Sequence, residues 1–413
     1  MAEAAPGPER IPSLDVVRGV AVMGILLANL PAFGLPISAY FSPLPAGGSG
    51  PAELAIWLAN FVLVEGKMRG LFTFLFGASM LLVVERAEAS GRDPLATHAA
   101  RMGALFVLGL AHLYLVWWGD ILAHYALVGM IAFAFRHLST RALVQVGLLL
   151  LGISVLWSML GWAALLESAA RDTPARAAAA DQFARAFGIP PASELAAEIN
   201  AMRGSWADNF RWRQSTADSP LATIEHLGLQ TLSAMLLGMA AFRSGLLTGE
   251  WSRSRYRRWA VISLGLALAG YLALGLATLN SGFDPAYIFL GSIVASQPLR
   301  IVGVVGYAAL VILMMRPGGW ITTRVAAVGR AAFTNYLGTS VIVTAIFYGW
   351  GLGLFSSLSR AQIYLVAPVV WLVMLAWSKP WLDRFAFGPM EWLWRSLARG
   401  RPQPLLRRAE LVA

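Results

Sequence analysis

Among the charge-free stretches of this chain, 143–166 (LVQVGLLLLGISVLWSMLGWAALL) and 259–279 run for more than twenty residues with almost nothing but apolar side chains. An α-helix rises about 1.5 Å per residue, so roughly 20 apolar residues cross a hydrocarbon core about 30 Å thick. A chain carrying such runs cannot hide them all in a soluble core. The composition agrees: 58% hydrophobic and 13% charged, against roughly 45–50% and about 25% in soluble domains. The 413 residues include no cysteine, which excludes a disulfide framework, thiol nucleophiles and cysteine zinc sites. Such hydrophobicity also excludes intrinsic disorder. The expected fold is an all-α polytopic bundle.

The apolar pattern predicts about ten spans, at 19–39, 66–84, 102–118, 120–136, 143–166, 226–242, 259–279, 298–315, 331–350 and 361–378. Spans 102–118 and 120–136 are joined only by Trp118-Gly119-Asp120, which reads as a tight helical hairpin. Net charge is +10, but the basic residues are sorted by topology and do not suggest nucleic acid. With the N-terminus inside, 22 of the 32 Lys and Arg fall on the cytoplasmic side, among them Arg10, Arg18, Arg86, Arg101 and Arg330. Lys and Arg concentrate on that side of membrane proteins, so both termini are expected to be cytoplasmic. The first span reads as an uncleaved helix, not a signal peptide. Four segments follow: an N-terminal bundle at 1–166, an extracytoplasmic loop of two or three amphipathic helices at 167–225, a C-terminal bundle at 226–378, and a basic interfacial tail at 379–413. In that tail Pro389 suits a first helical position, and Glu391 and Arg395 are spaced to pair across one helical turn. No internal repeat is evident.

Ionisable groups at membrane depth are costly and mark function by default. The first such group is Glu65-Gly66-Lys67-Met68-Arg69, ahead of the apolar run 70–84. That run alone is too short to span, so the helix is expected to begin near Glu65, with Glu65 and Arg69 on one face. Snorkelling to the interface explains these residues equally well. The second group is the hairpin His112…Asp120…His124, in which Asp120 and His124 stand four apart. A carboxylate beside an imidazole fixes its tautomer and raises its basicity, as general-base chemistry requires; a polar lock between helices is the structural alternative. Asn29, Glu225, His226 and Gln230 are expected at similar depth. On the cytoplasmic side Ser13 or Asp15 could cap the first helix, and Arg18 could pair with Asp15 or bind a phosphate-bearing donor. Asn335-Tyr336 could line the same inner vestibule. Too few ligands converge for a metal site, and none is expected. P-loop, dinucleotide, nucleophile-elbow and HExxH motifs are all absent.

Taken in order, several pieces resemble the YeiB family, domain of unknown function 418. They are Arg10-Ile-Pro-Ser-Leu-Asp15-Val-Val-Arg18-Gly19, Glu65-Gly-Lys67 with Leu71-Phe72-Thr-Phe74-Leu75-Phe76-Gly77, and Gly109-Leu-Ala-His112. Gly119-Asp120-Ile-Leu122, Thr334-Asn335-Tyr336-Leu337 and Gly388-Pro389-Met390-Glu391-Trp392-Leu393-Trp394-Arg395 complete the set. The Leu-Asp-x-x-Arg-Gly opening is further similar to that of transmembrane acyltransferases, which pass an acyl group from cytosolic acyl-CoA to an acceptor across the bilayer. That resemblance implies a bacterial cytoplasmic-membrane enzyme with acyl-CoA as donor and an envelope glycan or lipid as acceptor. His112 would be the base, Asp120 its orienting group and Asn29 an oxyanion donor. Glu65 and Lys67 would position the acceptor, Arg18 with Arg10 or Arg101 would hold donor phosphates, and Arg69, His124, Asp15 and Asn335 would complete the substrate-binding set. Asn29 stands where one acyltransferase family carries a His, and residues 30–60 contain none, so His112 would have to take that role. The alternative is a permease using the same polar groups without covalent chemistry.

Overall fold

The computed structural model describes residues 11–406 and is all-α; Phe385 and Leu406 form one isolated bridge. Helix α1 (Pro12–Gly34) leads to α2 (Pro51–Leu63) and α3 (Lys67–Ala89). Next come α4 (Pro94–Leu115), α5 (Leu122–Phe133) and α6 (Thr140–Ser168). The 167–225 segment holds α7 (Pro174–Phe187), α8 (Ala192–Arg203) and α9 (Trp206–Thr216). Then follow α10 (Pro220–Arg243), α11 (Arg253–Asn280), α12 (Pro285–Phe289) and α13 (Ser296–Met314), the last two joined by a π-helical turn at Leu290–Ala295. The chain closes with α14 (Trp320–Arg330), α15 (Ala332–Phe347), α16 (Arg360–Ile363), α17 (Val366–Arg384) and α18 (Pro389–Ala398).

Helix starts follow local chemistry. Proline opens α1, α2, α4 and α10, where its missing N–H costs nothing. The side chains of Asp93, Ser139, Ser219 and Ser252 accept from the free amides of α4, α6, α10 and α11, as N-caps do. Ser13 instead donates to the Leu247 carbonyl at 2.7 Å, and neither it nor Asp15 caps α1.

All ten predicted spans meet a helix, but among the described residues seven segments are long and apolar enough to cross a bilayer: Pro12–Gly34, Pro51–Ala89, Pro94–Leu115, Thr140–Ser168, Arg253–Asn280, Pro285–Met314 and Arg360–Arg384. The predicted spans 120–136, 226–242 and 331–350 fall outside that set. Helix α5 has 12 residues, a rise of only about 18 Å, and α15 has 16. Helix α10 is buried all round from Gln230 to Ala241, so its neighbours rather than lipid set its composition. It runs between α3, α5 and α6. Gly77 of α3 and Gly238 of α10 face each other's partner backbone so closely that a β-carbon would lie 2.1 Å from the Met235 and Phe74 carbonyl oxygens. Small residues permit this approach where helices pack without a hydrophobic drive. By contrast α6 and α11 present Leu148, Leu149, Val261 and Leu266 outward, the faces expected against lipid.

The three helices α7–α9 lie over one end of the bundle. Buried Arg213 donates to the Tyr114 and Leu115 carbonyls at the C-terminus of α4, where a cation meets the helix dipole favourably. Arg203 donates to the Phe355 carbonyl at 2.7 Å, and Glu198 accepts from the Ile37 amide at 2.9 Å. This end is called the loop face below, and the end bearing α18 the tail face.

Candidate functional site

Helix α4 ends three residues after His112, so the imidazole lies about 5 Å below the loop-face end of its helix. The connection 116–121 turns back, and Asp120 meets His112 there. His112 Nδ1 lies 2.8 Å from Asp120 Oδ1, with both side chains about 1% exposed. The second carboxylate oxygen accepts from the Ala123 amide at 2.9 Å, anchoring Asp120 at the start of α5. A carboxylate that accepts from Nδ1 would hold a neutral imidazole in the tautomer with Nε2 unprotonated. Among the described residues His112 Nε2 is buried and has no hydrogen-bond partner. Tyr336 packs on the imidazole with ring centroids 5.3 Å apart, and Trp117 lies 6.3 Å away on another side. Trp117 in turn stacks on Phe33 of α1 at 3.9 Å.

Tyr336 also lines a small cavity with Asn29, Ile25, Phe33, Thr339 and Ser340; its volume is about 10 Å³. That is room for about one water. Asn29, His112 and Asp120 thus gather around one tyrosine at the α1–α4–α15 junction. His124 does not join them. The spacing of four placed it with Asp120, but Asp120 precedes α5 and turns toward α4, while His124 Nε2 lies 2.9 Å from Thr231 Oγ1 on α10.

The Glu65 group also departs from expectation. Helix α3 begins at Lys67, not Glu65, because Gly66 takes φ +70°. Glu65 and Arg69 therefore share no helical face. Lys67 is fully buried; its Nζ donates to the Phe61 and Glu65 carbonyls at 3.0 and 3.1 Å and lies 3.1 Å from the Tyr271 ring centroid. Arg69 donates to Gln230 Oε1 at 3.1 Å. The same oxygen accepts from Arg300 of α13 at 2.6 Å. Arg300 was invisible to the motif reading; its only signal was being a lone cation in the predicted span 298–315. No hydrogen bond or ion pair joins this group to His112 or Asp120 among the described residues.

On the tail face Arg18 pairs with Asp15 at 3.2 Å and donates to Ser79 at 2.8 Å. Arg10 lies outside the described residues. Asn335 does not open onto a vestibule. Its amide donates to the Val328 carbonyl and Ser378, and its carbonyl accepts from Trp377 at 2.9 Å; it ties α14, α15 and α17 together. Glu225 and His226 are exposed, so neither approaches the site. The expected Glu391–Arg395 pair is absent as well. Glu391 turns inward and accepts from the Phe333 and Thr334 amides and the Thr334 hydroxyl at 2.6–3.2 Å, while Arg395 lies over Phe387. Burial pushes the Glu391 carboxyl up, and the hydrogen bonds from Thr334 oppose it. No cluster of three or more His, Asp or Glu that could hold a metal occurs among the described residues.

Residues 241–401 match the family model described as "Protein of unknown function (DUF418)". The chain is 32% identical to the uncharacterized protein YeiB of Escherichia coli strain K12, over 94% of this chain and 96% of that one. It belongs to the YeiB (DUF418) family. The uncharacterized protein YxaH of Bacillus subtilis strain 168 is 30% identical over 98% of both chains. An uncharacterized 39.9 kDa protein encoded in the amylase 3′ region of Bacillus acidopullulyticus is 23% identical over 97% of both chains. The similarity to the first two relatives runs nearly end to end, so it includes α1, the His112–Asp120 hairpin and the Glu65 group as well as the matched C-terminal portion.

Proposed function

We propose that this membrane protein transfers an acyl group from cytosolic acyl-CoA to a hydroxyl or amine on the far side of the bacterial cytoplasmic membrane. The observation that carries the reading is the buried His112–Asp120 pair with His112 Nε2 left unpartnered. A base held in one tautomer by a carboxylate, its other nitrogen free, is the arrangement that activates a nucleophile in acyl transfer. His112 Nε2 takes the acceptor's proton as the acceptor oxygen or nitrogen attacks the thioester carbonyl. The tetrahedral intermediate then expels the CoA thiolate, which recovers that proton from the imidazolium. Asn29, on the neighbouring wall, supplies an amide donor toward the developing oxyanion.

Arg18 stands eleven residues before Asn29 on α1, about 16 Å along the helix toward the tail face, and would hold a donor phosphate there. The cavity beside Asn29 has room for about one water and none for an acyl chain, so α1 and α15 must part for substrate to enter. The acceptor is an envelope glycan or a membrane lipid. A permease would use the same groups without a covalent step, and the break between α2 and α3 favours it, since discontinuous helices build transporter sites.

Acyl-CoA binding to the purified full chain, followed by thermal shift, separates the two. The enzyme reading expects stabilisation by acyl-CoA that Arg18→Ala removes and His112→Ala retains. Absence of any shift across acyl chain lengths would move the assignment to the permease.

A further inference from the structure

Lys67, Arg69 and Arg300 converge at membrane depth around a single carboxylate, Glu65. Lys67 lies against Tyr271, nine residues before the loop-face end of α11, about 14 Å below it. Lys67 is 0% and Arg300 8% exposed. Among the described residues no carboxylate oxygen, that of Glu65 included, comes within 4.0 Å of any of the three cations. A buried charge is ordinarily paired; here two guanidiniums share a single neutral amide oxygen, Gln230 Oε1, at 2.6 and 3.1 Å. Among the described residues Arg300 Nε is buried with no hydrogen-bond partner. Its remaining bonds, to the Ser292 carbonyl and Ser296 hydroxyl at 3.4 and 3.3 Å, are long.

The backbone is broken where these cations meet. Gly66 separates α2 from α3, and a β-carbon there would lie 2.2 Å from Arg300 Nε, so only glycine lets the guanidinium lie across the break. The π-helical turn at Leu290–Ala295 supplies the Ser292 carbonyl on the other side. Irregular backbone at membrane depth is tolerated where it lines a binding site.

We infer that Arg69 and Arg300 form a binding site for a phosphate dianion, at the position Gln230 Oε1 takes between them. Two guanidiniums that share only a neutral oxygen present two positive charges to that position, which a phosphomonoester or free phosphate matches and a monocarboxylate does not. Two convergent guanidiniums supply the forked donors that phosphate oxygens take. Entry of the anion swings the Gln230 amide aside, and Lys67 contributes as a fixed charge. This inference does not rest on acyl transfer, since the site shares no residue with the His112–Asp120 pair.

The test is ligand binding to the full-length protein in detergent, by calorimetry and thermal shift, with glycerol 3-phosphate, inorganic phosphate, glycerate and glycerol as probes. Glycerol 3-phosphate should bind, glycerate about tenfold more weakly, and glycerol not at all. Equal binding of inorganic phosphate would make the free ion the ligand; weaker binding would make it the ester. Gln230→Glu puts a carboxylate between the guanidiniums, so the variant should melt higher than wild type and lose glycerol 3-phosphate binding. His112→Ala should bind as wild type. Failure of both phosphate probes to bind wild type, equal binding of glycerate, or unchanged phosphate binding by Gln230→Glu would overturn the proposal.

Discussion

The two polar clusters inside the bundle answer the cost of burial in opposite ways. At the α4–α5 hairpin one imidazole meets one carboxylate at 2.8 Å, and the carboxylate's other oxygen is taken by a backbone amide. The carboxylate has hydrogen-bond partners on both oxygens, and one imidazole nitrogen is left without one. Around Gly66 three cations gather without a carboxylate in contact, and a neutral amide stands between two of them. On the proposed reading the paired cluster transfers protons without a ligand and the unbalanced one is completed by an anion, so the chain would keep chemistry and binding in separate electrostatic environments.

The largest effect expected from breaking this contrast is on turnover. Asp120→Asn preserves volume but removes the carboxylate that fixes the His112 tautomer, and acyl transfer should fall by roughly 10³- to 10⁴-fold with the thermal midpoint little changed. Loss of activity matched by loss of folding would instead make the pair a structural lock. On the unbalanced side, Gly66→Ala adds a β-carbon to a φ of +70° and drives it into Arg300. We expect a loss of about 2–4 kcal/mol in stability, read by thermal unfolding in detergent; a neutral result would show that the α2–α3 break does not depend on glycine.

Glu198 offers a smaller control outside both clusters. It is a buried carboxylate with no cation near it, and burial pushes its pKa up to about 7, against the Ile37 amide bond that lowers it. The unfolded value is the lower of the two, so the neutral carboxyl stabilises the fold fully below pH 4.5, and that contribution is lost as pH rises toward about 7. Glu198→Gln keeps an acceptor for the Ile37 amide and should flatten this dependence, raising stability at pH 8 by about 1–3 kcal/mol. An unaltered pH–stability profile would mean that the α8 contact does not feel the charge.

The sequence made the lipid-facing helices legible and the enclosed ones hard to read, for a physical reason. Lipid demands long apolar faces, so α6 and α11 stood out as charge-free runs. Helices α5, α10 and α15 meet mostly protein and follow no such rule. Site legibility divides the same way. His112, Asp120 and Asn29 were conspicuous as polar groups at depth, but helical spacing pointed Asp120 toward His124. The actual partner lies eight residues back, because Asp120 belongs to the turn before α5. Arg300 lay too far along the chain from Glu65 for any spacing argument to unite them. Only the packing of α13 against the Gly66 break brings them together.

The most direct test of the central claim is release of free thiol from acyl-CoA by the purified protein in liposomes, with envelope glycans or lipids offered as acceptors on the loop face. The account predicts acceptor-dependent thiol release by wild type, abolished in His112→Ala and Asp120→Asn and retained in Gln230→Glu whenever the acceptor carries no phosphate. Intact acyl-CoA with every acceptor, or equal thiol release by wild type and His112→Ala, would contradict it.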